Sequence, residues 1–227
     1  MHMVPVNTFP PSVILYGGTG QAKIARPIIE QYGARVVAVF DDTPGLPSPF
    51  PGTPIYPGAE LPNWLAQQGG AEIGFSVTIG NPHGRARLAI HDRLKGLGLV
   101  PVSFAHPTAF IDESAVIGEG AQISAGAIVL AEARLGRCCI INTKASVDHE
   151  DVLEDGAEVA PGATLCGLVR LGQAAWVCAG ATVLPRLTIG ADAIVGAGAV
   201  VTRDIPDGAT AVGVPARPIT KSERNPK

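Results

Sequence analysis

Among the five histidines of the chain, His149 stands in the setting best suited to proton transfer, within Val147-Asp148-His149-Glu150. A carboxylate flanks it on each side. A carboxylate that accepts from one imidazole nitrogen fixes the tautomer and raises the basicity of the other, which is what a general base requires. Eighteen residues further on lies Gly167. It has no side chain to crowd an imidazole, and its backbone N–H suits a developing oxyanion. A solvated surface histidine is the plainer alternative for the same residues.

A second group of residues suits a phosphorylated ligand. Gly17-Gly18-Thr19-Gly20 follows a short apolar run, 12–16, and precedes a helical pattern through Ile24, Ile28 and Ile29. A glycine turn entering a helix presents backbone N–H groups to an anion. Asp41-Asp42 closes a second run, 35–40, at the position where ribose or base recognition often lies. Gly80-Asn81 follows a third run, 72–79, at what should be the same sheet edge. The full G-x-G-x-x-G is absent, because Lys23 occupies the third glycine position. Purely structural turns remain open for both stretches. A metal is not expected, since a zinc site of the γ-carbonic anhydrase type needs three histidines and the repeat block described next holds one, with His106 before its start. Cys138, Cys139, Cys166 and Cys178 lack any C-x-x-C spacing and are read as reduced core or wall residues.

These residues are positioned by two kinds of element. From Ile111 to Val201 every sixth residue is Ile, Leu or Val without a slip, and four places after each the residue is usually Ala. Neither the helix period nor the strand period gives that pattern; a hexapeptide β-helix does, each repeat being a short strand and a corner. Three hexapeptides close one triangular coil, so residues eighteen apart stack along the axis at roughly the 4.8 Å inter-strand spacing. Parallel crossovers are right-handed as a rule, and the sequence does not fix the hand here. Upstream, strands at 12–16, 35–40, 72–79 and 99–104 alternate with helices at 20–32, 61–68 and 83–97. A Pro-rich surface loop is expected over 43–62. The fold class is therefore a small Rossmann-like α/β domain over 12–104, followed by an all-β parallel helix with its C-terminal cap over 105–218 and a polar tail over 219–227. The α/β domain is expected to cap one open end of the solenoid and 208–218 the other.

The 46% hydrophobic but only 5% aromatic composition fits a solenoid of small aliphatic layers. A net charge of −3 without a basic block gives no nucleic-acid footprint. No run is long enough to span a membrane and the N-terminus lacks signal-peptide shape, so a cytoplasmic protein is expected.

With these residues in view, the chain resembles the nucleotide-amino-sugar N-acetyltransferases grouped with the sialic acid O-acetyltransferase-like proteins. Ile141-Asn142-Thr143 followed by Asp148-His149-Glu150 is similar to the family's I-N-T…(D/E)-H-(D/E) signature, and Gly213-Val214-Pro215-Ala216-Arg217 to its G-V-P-A-(K/R). The opening turn resembles G-G-x-G-H-(A/G)-K, with Gln21 where histidine is usual. The resemblance implies a left-handed β-helix, a homotrimer and acetyl-CoA as co-substrate. It implies His149 as general base oriented by Glu150, Asn142 placing the acceptor, and the Gly167 N–H meeting the thioester oxygen. Gly18, Gly20, Asp41, Asp42, Gly80 and Asn81 would hold the nucleotide sugar. A sugar hydroxyl as acceptor, or a non-catalytic trimeric nucleotide-sugar scaffold, are the alternatives.

Overall fold

The computed structural model describes residues 6–80 and 82–219. A five-stranded parallel sheet forms first: β1 (Ser12–Tyr16), β2 (Arg35–Phe40), β3 (Ile55–Tyr56), β4 (Ile73–Val77) and β5 (Val100–Pro101), in the order β3-β2-β1-β4-β5. Apolar runs such as Val13, Ile14 and Leu15 are buried on both faces, as a parallel sheet covered on both sides requires. Helix α1 (Gly20–Gln31) packs Ala22, Ala25, Ile28 and Ile29 inward, and α2 (Leu61–Ala66) and α3 (Gly84–Gly96) complete the unit. The strand order reverses between β1 and β4, which opens a crevice beyond their carboxyl ends.

Two expectations are corrected here. The 43–62 segment is not loop throughout: Ile55–Tyr56 extends the sheet as β3, because the outer edge of β2 would otherwise leave N–H groups unpaired, and Val39 N–H reaches Pro54 O and Asp41 N–H reaches Tyr56 O. The run over 99–104 is also split. Val100–Pro101 stays in the sheet, whereas Phe104–Ala105 pairs with Gln122–Ile123 and starts the solenoid.

From there the chain winds as a three-sided prism of two-residue strands, each paired with the strand eighteen residues on. One face runs from Phe110–Ile111 to Val200–Val201, a second from Val116–Ile117 to Thr188–Ile189, and a third from Phe104–Ala105 through Ile194–Val195. The inward aliphatic residues and the corner alanines form one continuous core. Corners turn through residues of positive φ every sixth position, including Glu132, Lys144 and Glu150. A non-glycine residue there costs about 1–2 kcal/mol and persists because stacking on neighbouring coils over-determines it. At the far end Thr210–Val212 adds to the third face and Arg217–Ile219 returns antiparallel to it, covering that edge.

The α/β unit does not only cover the first coil; it lies along one edge of the prism. Helix α3 runs beside the stacked corner of Gly120, Cys138, Gly156, Ala174 and Asp192. Near its start Arg85 makes a bidentate pair with Asp192, and near its end Lys95 meets Glu119 at 2.8 Å. Between them Arg87, with 0% exposure, donates to Cys138 O, Ile79 O and Gly156 O at 2.7–2.9 Å and faces Glu158 at 3.8 Å. Arg87→Met removes the guanidinium from three buried carbonyls and one carboxylate. It should lower stability by about 3–5 kcal/mol, read as a shifted urea midpoint.

Candidate active site

A cavity of ≈ 760 Å³ occupies the crevice between the sheet and the third face of the prism. Gly20, Asp41, Asp42 and Gly80 line it from the sheet side, and Asn142 and Glu158 from the prism. Asn81, expected beside Gly80, lies outside the described residues. Gly17 makes the turn possible: its φ is +110°, and a Cβ there would sit 2.6 Å from Thr78 O. Gly18 does not line the cavity. Its N–H instead donates to Asp41 Oδ2 at 2.7 Å, while the Thr43 N–H takes Oδ1 at 2.8 Å. Burial pushes the Asp41 carboxyl up, but these bonds outweigh it and hold the group below its usual range. Asp42 accepts the Tyr16 hydroxyl at 2.6 Å and the Gly58 N–H at 3.2 Å. Helix α1 points its N-terminus into this space with no side-chain cap and no acidic residue in its first turn, a geometry suited to an anion. Gln21 also lines the cavity, and its amide donates to Gln122 Oε1 at 2.8 Å, with Gln122 in turn donating to Val77 O at 2.7 Å. The residue that departs from the familiar motif therefore ties α1 to the prism.

His149 sits on the corner between the first and second faces, with its side chain 52% exposed. Its Nδ1 lies 3.2 Å from Glu150 Oε2, which leaves Nε2 as the basic nitrogen. Asp148 does not reach the ring. It accepts the backbone N–H of His149 at 2.6 Å, so only one of the two flanking carboxylates orients the imidazole. Gly167 stacks directly on the ring: a Cβ at Gly167 would be 2.7 Å from His149 Nε2. An imidazole with one nitrogen fixed by a carboxylate and the other against a backbone turn can take a proton beside a developing negative oxygen.

No protein-family model matches the sequence and no curated protein matches it, so kinship rests on solved structures. A histidine-to-alanine mutant of GDP-perosamine N-acetyltransferase from Caulobacter crescentus, in complex with CoA and GDP-perosamine, matches with a TM-score of 0.85 at 34% identity, over 92% of this chain and 97% of that one. The acetyltransferase domain of PglB from Neisseria gonorrhoeae FA1090, in complex with acetyl coenzyme A, matches at 0.81 and 30% identity, over 92% of this chain and 100% of that one. The chain belongs to the nucleotide-amino-sugar acetyltransferases of the hexapeptide-repeat family. WeeI from Acinetobacter baumannii AYE, at 24% identity and a TM-score of 0.70, shares the fold. The hand of the prism is that of the left-handed parallel β-helix, as the resemblance implied.

Within one copy of this acetyltransferase the expected residues fall into two places. Gly20, Asp41, Asp42, Gly80 and Asn142 share the cavity, while His149, Glu150 and Gly167 share the corner and do not line it. Three cavity residues went unread in the sequence. Tyr16 looked like the end of an apolar strand, His83 like a helix start, and Glu158 like one polar residue in a repeat. Among the described residues no three His, Cys, Asp or Glu side chains converge as a metal site. Cys138, Cys139 and Cys178 are buried thiols, with Cys166 half-buried beside Gly167. Gly167→Ala would force a methyl group against Nε2 at a backbone φ of +93°. Turnover should fall by about 10²-fold or more, while the strain should cost only about 1–3 kcal/mol, so kinetics and thermal unfolding together separate the two effects.

Proposed function

We propose that this chain transfers an acetyl group from acetyl-CoA to the amino group of a nucleotide-linked amino sugar. The observation that carries the reading is the apposition of His149 Nε2 and Gly167 across two coils, with Glu150 on the other ring nitrogen. Residues 12–104 would bind the nucleotide sugar and 105–218 would carry acyl transfer. His149 accepts the proton of the amine as its nitrogen attacks the thioester carbonyl. The Gly167 N–H meets the carbonyl oxygen as charge grows on it. The imidazolium then returns its proton to the departing thiolate, so atoms and charges balance without a covalent enzyme intermediate. Gly20 and Gly80 bring backbone N–H groups to the phosphates, with Asp41, Asp42 and Asn142 directing the nucleoside and sugar toward the corner.

Cavity and imidazole lie on different edges of one prism, so the site is completed by a neighbouring copy, and we take the assembly to be a homotrimer. The face beside His149 supports this, since it leaves Phe110 55% and Ile128 39% exposed. The reaction belongs in the cytoplasm, where acetyl-CoA and nucleotide sugars meet.

A thiol-release panel of UDP-, GDP- and dTDP-linked 4-amino sugars, with mass spectrometry of the product, tests the activity. His149→Ala should lower kcat by about 10²–10⁴-fold with binding of CoA intact by calorimetry; near wild-type turnover sinks the mechanism. A shared site adds a sharper outcome. Gly20→Leu fills the cavity without meeting backbone, since nothing lies within 4 Å of a Cβ there. Inactive Gly20→Leu and inactive His149→Ala chains, unfolded and reassembled together, should regain activity, which a site built within one chain would not allow.

A further inference from the structure

Gly167 differs from every equivalent residue described along the prism. In the other turns only the second central residue has positive φ, as at Glu132 (59°) and Glu150 (57°) on the same edge. At Gly167-Leu168 both do, at 93° and 56°. A second departure lies one coil back. The residue four places after each inward aliphatic is Ala in most repeats and otherwise Cys, Val, Leu or Ile, except for Asp151. A carboxylate in an apolar column is costly unless its oxygens are bonded. Asp151 is 0% exposed, its Oδ2 accepts the Asp148 N–H at 2.7 Å, and its Oδ1 accepts the Val169 N–H at 2.8 Å.

In most turns, though not at Cys139 or Leu187, the residue at Val169's position closes its own turn. Ala133 N–H reaches Leu130 O at 3.2 Å, and Asp151 N–H reaches Asp148 O at 3.3 Å. The Val169 N–H goes to the carboxylate of the preceding coil, and the turn before it takes another shape. Among the described residues nothing accepts the Gly167 N–H. We propose that Asp151 is a positioning residue for acyl transfer, a buried staple between the two coils that holds the Gly167 turn open beside His149 Nε2. The proposal rests on the acetyltransferase reading above.

The staple should also respond to pH. Burial pushes the Asp151 carboxyl up to about 7, against the two N–H bonds that draw it down; Asp148 adds to the rise, His149 opposes it, and Cys166 faces it from the next coil. A protonated carboxyl has one good acceptor for two N–H groups, so the staple loosens as pH falls through that range. Oxyanion alignment is then lost on the acid side.

Asp151→Ala places here the residue that Ala115 and Ala133 supply in the two preceding coils, so the variant should fold with a Tm no lower than the parent's. Against the best acceptor from the panel, kcat should fall about 10- to 100-fold, with KM for both substrates within about threefold. The acid limb of log kcat should be shallower than the parent's, by the contribution of the Asp151 proton. A crystal structure of the variant should show Gly167 with negative φ, as at the neighbouring corners. Parental kcat with an unchanged acid limb, or a Gly167 that keeps its φ of +93°, overturns the staple. Should the alanine variant prove unstable, Asp151→Asn, which offers one acceptor, should show an intermediate kcat and the flattened limb. A parent chain that releases no thiol with any acceptor sinks the acetyltransferase reading, whereas an active parent with an unaffected variant sinks only the staple.

Discussion

Coil stacking governs this molecule. Strand N–H groups bond to carbonyls seventeen residues ahead, as when Ile128 N–H meets Ala145 O and Leu130 N–H meets Val147 O, both at 2.9 Å. Those bonds fix the axial spacing to that of adjacent strands. A residue on the prism surface therefore meets the residue eighteen places on, with little freedom to slip. His149 opposes Gly167 and Asp151 opposes Val169 for this reason alone. A site built this way gains its precision from the core beneath it, since a shift at the corner would have to break the inward layers of Val147 and Leu165.

The second constraint is the seam between the two units. It is polar where most packed interfaces are apolar: Arg87, His91 and Gln122 are buried, and each is hydrogen-bonded across to the other unit. Buried polar groups of this kind are weak contributors to net stability but strict about geometry. Gly84 adds to that strictness, because a Cβ there would meet Gly156 O and Ala174. The docking angle of α3 sets the width of the cavity on the far side of the helix, where His83 and Ile90 line it. The sheet side of the crevice is thus held opposite Asn142 and Glu158.

The sequence discloses the prism plainly because a six-residue period has no competing explanation. His149 and Gly167 were legible together for the same reason, their spacing being one full coil. Arg87 and His91 were not, because their places on the buried stripe of α3 look polar and solvated until a partner surface is known. The strand at Ile55–Tyr56 was hidden by the prolines around it, and only the unpaired edge of β2 calls for it. Asp151 could have been found. It breaks a column of apolar residues two places after the histidine, a local contradiction between residue type and register of the sort that functional sites carry. The cavity and the imidazole fall on adjacent edges of the prism, Asn142 and His149 being seven residues apart along the repeat.

The cavity's charges also bear on which acceptor suits it. Its described lining includes Asp41, Asp42 and Glu158 and no Lys or Arg. A nucleoside diphosphate brings two negative charges into that space, so backbone N–H groups and the α1 terminus must supply the attraction. Asp41 is the carboxylate nearest this task, and both its oxygens already accept N–H groups, from Gly18 and Thr43. That neutralises part of its field without a cationic side chain. Glu158 faces Arg87 at 3.8 Å, so part of its field is offset as well, and an amino sugar arriving as an ammonium ion would meet no cationic side chain in the described lining. The ammonium must still lose a proton before it can attack. Loss of that proton to solvent would leave the His149 imidazole free for the second one, released as the new C–N bond forms. His149, on an exposed corner, lies outside the cavity of its own chain, so the proposed site joins the two only across a subunit boundary.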